Sequence, residues 1–270
     1  MSRTTPRGRL ALAWLPVACL LVLSGCSSSD AAKDTTTPGA SAGPQATTPG
    51  SVTPSPVQLV GGKPLRPIGV FGALTTTSSS GIALTFDDGP DPTYTPMFLD
   101  LLKQARVKAT FCVVGKRVLQ QPDLIRRIVT EGHTLCNHSY NHDTSLGQKT
   151  VAEMTKDLQV TNDAIHKAVP GYKVRYFRAP GGNFTQALVE VVTSLGMRSL
   201  SWTVDPKDWD FPTYGTGKDM VKHIVSVVEA QAKPGVVILS HDFSKPDTLT
   251  AYQQLIPWLQ KARFKLIPMP

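Results

Sequence analysis

The chain has 270 residues, 41% of them hydrophobic and 18% charged, with a formal net charge of +8. That length holds one sizeable core or two small ones, and the composition excludes a collagenous, coiled-coil or wholly disordered chain. Residues 59–270 hold 24 of the 28 Lys and Arg and 18 of the 20 Asp and Glu, a mild +6 with no dense basic block. Nucleic acid is therefore not an expected partner, and the surplus suits either an acidic polymer or a soluble surface.

Residues 1–9 carry Arg3, Arg7 and Arg9 with no acid, and residues 10–23 are almost wholly apolar. This is too short to span a bilayer comfortably and fits a secretion signal over residues 1–25. Leu23-Ser24-Gly25-Cys26 follows and resembles the bacterial lipobox. That resemblance implies cleavage before Cys26 and lipidation of its sulfur; the alternative is an ordinary signal peptide with a chance cysteine. Residues 26–58 are rich in Ser, Thr, Pro and Gly. They bury too little to offset their ordering entropy, so a disordered tether is expected. A lead-in segment, 59–80, ends in a Ser/Thr run expected as a surface loop, and the folded domain is placed at 81–270. The expected location is the outer face of the cell membrane, anchored through Cys26, or secretion, and the expected state is a monomer. In that oxidising setting Cys112 and Cys136 are permitted a disulfide, of about 3 kcal/mol by loop entropy. Their other reading is two small buried hydrophobes.

From Gly81 strand and helix signals alternate. A short apolar strand over 82–86 precedes Asp87-Asp88-Gly89-Pro90. A helix is predicted over 96–105, with Pro96 near its start, then a strand over 109–114 and a helix around 124–129. A strand over 134–137 is followed by Thr150-x-x-Glu153, a capping box opening a helix striped by Val151, Met154, Leu158 and Ile165. Further strands are expected at 174–177, 198–204 and 236–240, with helices over 186–195 and around Val221–Val228 between them. A last helix over 249–261, kinked or restarted at Pro257, leads to 264–267. About seven strand–helix units favour an α/β fold, a distorted (β/α) barrel, over a sandwich. A doubly wound nucleotide-binding sheet is disfavoured because no Gly-rich loop follows a strand.

Ionisable residues gather where these strands end, which is where barrel enzymes place their sites. Asp87 and Asp88 follow the first strand, His138 and His142 the third, and Arg178 the fourth. Asp205, Asp208 and Trp209 follow the fifth, and His241 the sixth. Two adjacent acids repel, and a turn does not need them, so a nearby cation would explain the pair. Histidines four apart share one face if helical; with a carboxylate they supply two nitrogens and one oxygen and leave a position open, the pattern of a catalytic metal. A closed site using Cys112 and Cys136 with the histidines is disfavoured by the oxidising setting. Arg178 beside an aspartate would keep it ionised, Trp209 is either core or a flat wall for a sugar ring, and His241 is either a core histidine or a proton donor.

Thr85-Phe86-Asp87-Asp88-Gly89, His138-Ser139-x-x-His142, Arg178-x-Pro180, Asp205-x-x-Asp208-Trp209 and Leu239-x-His241 resemble the five ordered motifs of the polysaccharide deacetylase (NodB-homology) family, carbohydrate esterases. The resemblance implies a distorted barrel and a divalent metal, zinc by default, with cobalt, nickel or manganese as alternatives. It implies Asp88, His138 and His142 as metal ligands, Asp87 as general base, Arg178 as its orienting partner and His241 as general acid. Asp208 would tune His241, with Asp205 able to share that task. Leu239 would line the acetyl pocket, and the N–H of residue 181 would serve an oxyanion. Many members carry an aromatic at that position; Gly181 stands here, which widens the cleft or changes sugar preference.

The leading expectation is hydrolysis of acetyl groups on an N-acetylated polysaccharide, peptidoglycan or a chitin-like N-acetylglucosamine polymer. The alternatives are an O-acetyl esterase of xylan and a non-catalytic sugar-binding lipoprotein. A glycosidase fits poorly, because adjacent carboxylates do not flank a glycosidic bond at the required separation.

Overall fold

The computed structural model describes residues 70–270. The signal, Cys26, the tether and the first part of the lead-in segment lie outside the described residues.

Seven parallel strands form one sheet: β1 (Ile82–Asp87), β2 (Thr110–Val113), β3 (Thr134–Asn137), β4 (Tyr176–Phe177), β5 (Arg198–Ser199), β6 (Val237–His241) and β7 (Leu266–Ile267). Their order is β5-β4-β3-β2-β1-β6, with β7 paired to the first residues of β1. A single bridge from Val204 to Ile238 joins the segment after β5 to β6, and the lead-in residues Leu74 and Thr76 bridge Leu200 and Val236, so the sheet curls into a distorted barrel. The expected strand over 198–204 is thus only two residues long. The carbonyls of Leu200 and Ser201 turn instead to the Arg178 guanidinium, at 3.4 and 3.1 Å.

The helices are α1 (Tyr94–Gln104), α2 (Gly115–Gln120), α3 (Pro122–Thr130), α4 (Val151–Ala168), α5 (Gln186–Ser194), α6 (Phe211–Tyr214), α7 (Lys218–Gln231) and α8 (Pro246–Lys261). Their starts are chemically marked. Asp91 Oδ1 accepts from the N–H groups of Thr93 and Tyr94 at 2.7 and 2.8 Å ahead of α1. Thr150 and Glu153 complete the predicted capping box of α4. α8 runs unbroken through Pro257. The unexpected helices, α2 and α6, span six and four residues, too few to show a period. Among the described residues no helix is long and apolar enough to cross a membrane.

Strand alternation sorts the core into two layers. Leu84, Phe86, Phe111, Leu135, Phe177 and Ile238 pack with the helices. Ala83, Cys112, Cys136, Tyr176 and Val237 pack inside the barrel. Cys112 and Cys136 are register partners on β2 and β3 and are joined in a disulfide. The same alternation carries Asp87 inward on β1, and His241 is its register partner on β6. Lead-in residues also belong to this unit: Ala73 is fully buried and Thr76 bridges Val236, while residues 78–80 are exposed.

Candidate active site

The carboxyl ends of β1, β3, β4 and β6 meet in one cleft of about 400 Å³ lined by Asp87, Asp88, His138, His142, Trp202 and His241 among others. Gly181, Asp205, Trp209 and Leu239 also line it. Arg178, Asp208 and the disulfide lie behind the surface, so every residue of the domain singled out from the sequence is at the cleft or directly under it.

The two histidines do not sit on a helix. They bracket a loop in which Ser139 and His142 adopt left-handed φ of 61° and 59°. Asn137 anchors this loop: its Oδ1 accepts from Ser139 N at 2.9 Å and its Nδ2 donates to Leu158 O at 2.9 Å. Asp157 Oδ1 accepts from Tyr140 N at 2.9 Å. The rings of His138 and His142 end 5.0 Å apart, edge to face.

Ligating atoms of Asp88, His138 and His142 all lie within 4.8 Å of one another. Asp88 Oδ1 is buried without a hydrogen-bond partner among the described residues, although His138 Nε2 and His142 Nε2 lie 3.4 and 3.1 Å away. His138 Nδ1 faces the Arg178 carbonyl at 2.8 Å. A carbonyl only accepts, so Nδ1 carries the proton and Nε2 is left to present a lone pair toward Asp88. Burial lowers the His142 imidazole more than Asp88 raises it, which favours the neutral, ligating form. Burial alone would raise the Asp88 carboxyl, but positive charge on the imidazoles around it, that of His138 first, outweighs burial and holds it well below the usual range, a role a bound cation would take over once the two ligating rings are neutral. An orphaned carboxylate oxygen facing two imidazole nitrogens, with a fourth side open to the cleft, fits a divalent cation. His138→Ala is expected to weaken divalent-metal affinity by more than about 100-fold, since even an outer partner of a ligand is worth 10–100-fold. Equilibrium dialysis with metal analysis checks it.

Two oppositely charged pairs flank this donor set. Arg178 is fully buried, and its Nη1 donates to Asp87 Oδ1 at 2.7 Å and to Thr85 Oγ1 at 2.8 Å. On the adjacent strand β6, His241 Nδ1 lies 2.6 Å from Asp208 Oδ1. Asp208 is pinned in turn: its Oδ2 accepts from His241 N at 2.9 Å and from Thr248 Oγ1 at 2.8 Å. Burial works to lower the His241 imidazole, but Asp208 overrides it and pushes it up to about 9. Burial works to raise Asp208, and His241 keeps it below the usual range. Asp205 does not share the contact: its carboxylate accepts from Lys207 N at 2.8 Å, and burial raises it.

The cleft wall carries Trp202 and the 46%-exposed Trp209, and it is bare where Gly181 and Gly182 have left-handed φ of 63° and 71°. A Cβ on Gly182 would lie 2.7 Å from the Trp202 ring, so glycine is what lets that tryptophan close the wall. Sequence reasoning missed Trp202, Asn137, Arg117 and Asp242. Asp242 adjoins His241 and Asn137 adjoins His138, the only signal either gave. Asp242 is 1% exposed, and burial, with the charge of Asp88 adding, pushes its carboxyl up to about 7.

A parallel α/β barrel that gathers three metal-ligating side chains between an aspartate–arginine pair and a histidine–aspartate pair is built as a metal-dependent hydrolase. Residues 75–200 match the polysaccharide deacetylase family. The chain is 38% identical over 213 residues to the chitooligosaccharide deacetylase of Bradyrhizobium sp. (strain ANU 289), spanning 74% of this chain and 93% of that protein. It is 34% identical to the peptidoglycan-N-acetylglucosamine deacetylase of Bacillus cereus, over 76% of this chain and 93% of that one. Among solved structures, the peptidoglycan deacetylase PdaC of Bacillus subtilis superposes with a TM-score of 0.62 at 34% identity, covering 71% of this chain and 89% of that one. The chain belongs to the polysaccharide deacetylase family, whose enzymes depend on a divalent metal.

Proposed function

We propose that the chain removes N-acetyl groups from N-acetylglucosamine residues of a cell-wall polymer, peptidoglycan first, using zinc held by Asp88, His138 and His142. The observation that carries this is the placement of Asp87 and His241 as register partners on neighbouring strands. Each is held by its own partner, Arg178 on one side and Asp208 on the other. One is a carboxylate ion-paired with a buried guanidinium and the other an imidazole kept protonated by Asp208, so a base and an acid face the same cleft.

Asp88, His138 and His142 would hold the zinc ion, which would supply a lowered pKa for water and polarisation of the acetyl carbonyl. Asp87 takes the proton of the attacking water as its oxygen adds to the acetyl carbon. The N–H of Gly181 supports the charge that develops on the carbonyl oxygen. His241 then gives its proton to the nitrogen as the C–N bond breaks, leaving acetate and a free amine. An amide needs this proton more than an ester does, because an amide anion is a very poor leaving group. Leu239, 4% exposed and in the cleft lining, offers the apolar wall for the acetyl methyl. Trp209 offers a flat face to a sugar ring.

The peptidoglycan and chitooligosaccharide enzymes among its relatives support this substrate class. The N-terminal sequence supports export, with anchorage through Cys26 placing the domain beside the wall polymer. The test is acetate release from N-acetylglucosamine oligomers, peptidoglycan and acetylated xylan by metal-stripped and zinc-reloaded protein. Zinc-dependent acetate with equal new free amine is expected from the first two. Acetate from xylan alone would make it an esterase, and none from any with zinc bound would make it a sugar-binding protein.

A further inference from the structure

Asp88 is not a glycine, yet it adopts a left-handed φ of 77°. Such a conformation costs free energy and persists only where the surroundings hold it. Here both ends of the peptide unit that follows Asp88 are gripped by side chains from elsewhere. Its carbonyl oxygen accepts from Arg117 Nη1 on α2. Its N–H, that of Gly89, donates to Asp242 Oδ1 at 3.1 Å.

Each grip has a support behind it. The Arg117 guanidinium lies 3.4 Å from the centroid of the Phe243 ring. Asp242 Oδ2 accepts from Thr95 Oγ1, and that hydroxyl accepts from Asp91 N at 2.7 Å. Asp242 also donates its own N–H to the Asp87 carbonyl at 3.2 Å. The fit is close: a Cβ on Gly89 would lie 2.4 Å from Asp242 Oδ2. Asp242 and Phe243 directly follow His241 in the chain. The strand end that delivers the histidine therefore also supplies one half of the clamp, Asp242, and the support behind the other half, Phe243.

We propose that Asp242 and Arg117 are positioning residues for the metal centre, holding the Asp88–Gly89 peptide so that the Asp88 carboxylate aims at His138 and His142. This rests on the reading of Asp88 as a metal ligand. Neither residue touches substrate or metal; both act through the Asp88 backbone.

The test uses the full chain and four variants: Asp242→Ala, Arg117→Met, Thr95→Val and Thr95→Ser. Zinc affinity is measured by competition with a chromophoric chelator, alongside kcat, KM and the circular-dichroism melt. Asp242→Ala and Arg117→Met are expected to weaken zinc affinity by about 10–100-fold, the range for outer partners of metal ligands, and to lower kcat with KM little changed. Thr95→Val should move both in the same direction by less, and Thr95→Ser, which keeps the hydroxyl, should restore them. A folded Asp242→Ala with a lower melting temperature but zinc affinity and kcat within twofold of wild type overturns the proposal. Should Asp242→Ala not fold, the partly exposed Arg117 decides by the same criterion. Wild-type protein that binds no zinc overturns the ligand reading and the clamp with it; wild type that binds zinc while the variants are unaffected overturns the clamp alone.

Discussion

Asp87→Asn is expected to lower kcat by about 10³-fold while leaving zinc affinity within a few-fold of wild type, in the range found for removal of a general base. The amide is nearly isosteric, and its oxygen still accepts from Arg178 Nη1, which lies 2.7 Å from Asp87 Oδ1. Position is thus kept and only basicity is lost. The metal set is separate, because the converging donors belong to Asp88, His138 and His142. Calorimetric zinc titration of the two variants beside turnover assays distinguishes the roles. Asp87→Asn should bind and not turn over, whereas His138→Ala should do neither. Equal loss of zinc in both would place Asp87 among the ligands and remove it as the base.

Asp208→Asn should also lower kcat, and should do so through pH. With Asp208 present His241 holds its proton up to about pH 9. A raised imidazole is fully protonated below its ordinary value near 6.5 and loses its proton as pH climbs through the folded value. Acid catalysis, and the stability the pair contributes, therefore persist through neutrality and decline through about pH 9. Without the Asp208 charge, burial is left to lower the imidazole, so the alkaline limb of kcat should move down by about two units or more. At pH 8 the expected loss is about 10-fold or more, shrinking toward pH 6. Profiles of kcat against pH for the two proteins check this. An alkaline limb that stays in place would take the proton-donor role away from His241.

Much of this was legible in the sequence because strand ends carry their own signature. Short apolar runs broken by Asp-Asp-Gly-Pro or by Ser-His locate the rim, and alternation then decides which side chains point inward. The capping box at Thr150 was equally plain. What stayed hidden depends on contacts between distant segments. The histidine loop takes its shape from Asn137 and Asp157 rather than from local spacing. The strand expected over 198–204 gives way after two residues to single bridges at Leu200 and Val204, while the Leu200 and Ser201 carbonyls turn to Arg178, some twenty residues upstream. Asp208 and Asp205 are indistinguishable by motif; only the fold shows that Asp208 meets His241 while Asp205 caps its own loop. Asp242 and Arg117 carry no motif, since each acts on the Asp88–Gly89 peptide through a backbone atom.

Arg178 does two jobs with two different parts of itself. Its guanidinium holds Asp87, and its main-chain oxygen orients His138. Any amino acid at this position would still supply the oxygen. A change of residue here would therefore act on the base and spare the histidine's tautomer, but it would also strand Thr85 and the Leu200 and Ser201 carbonyls inside the barrel. Loss of turnover at this position is thus coupled to loss of stability, which ties the upkeep of the base to the upkeep of the fold.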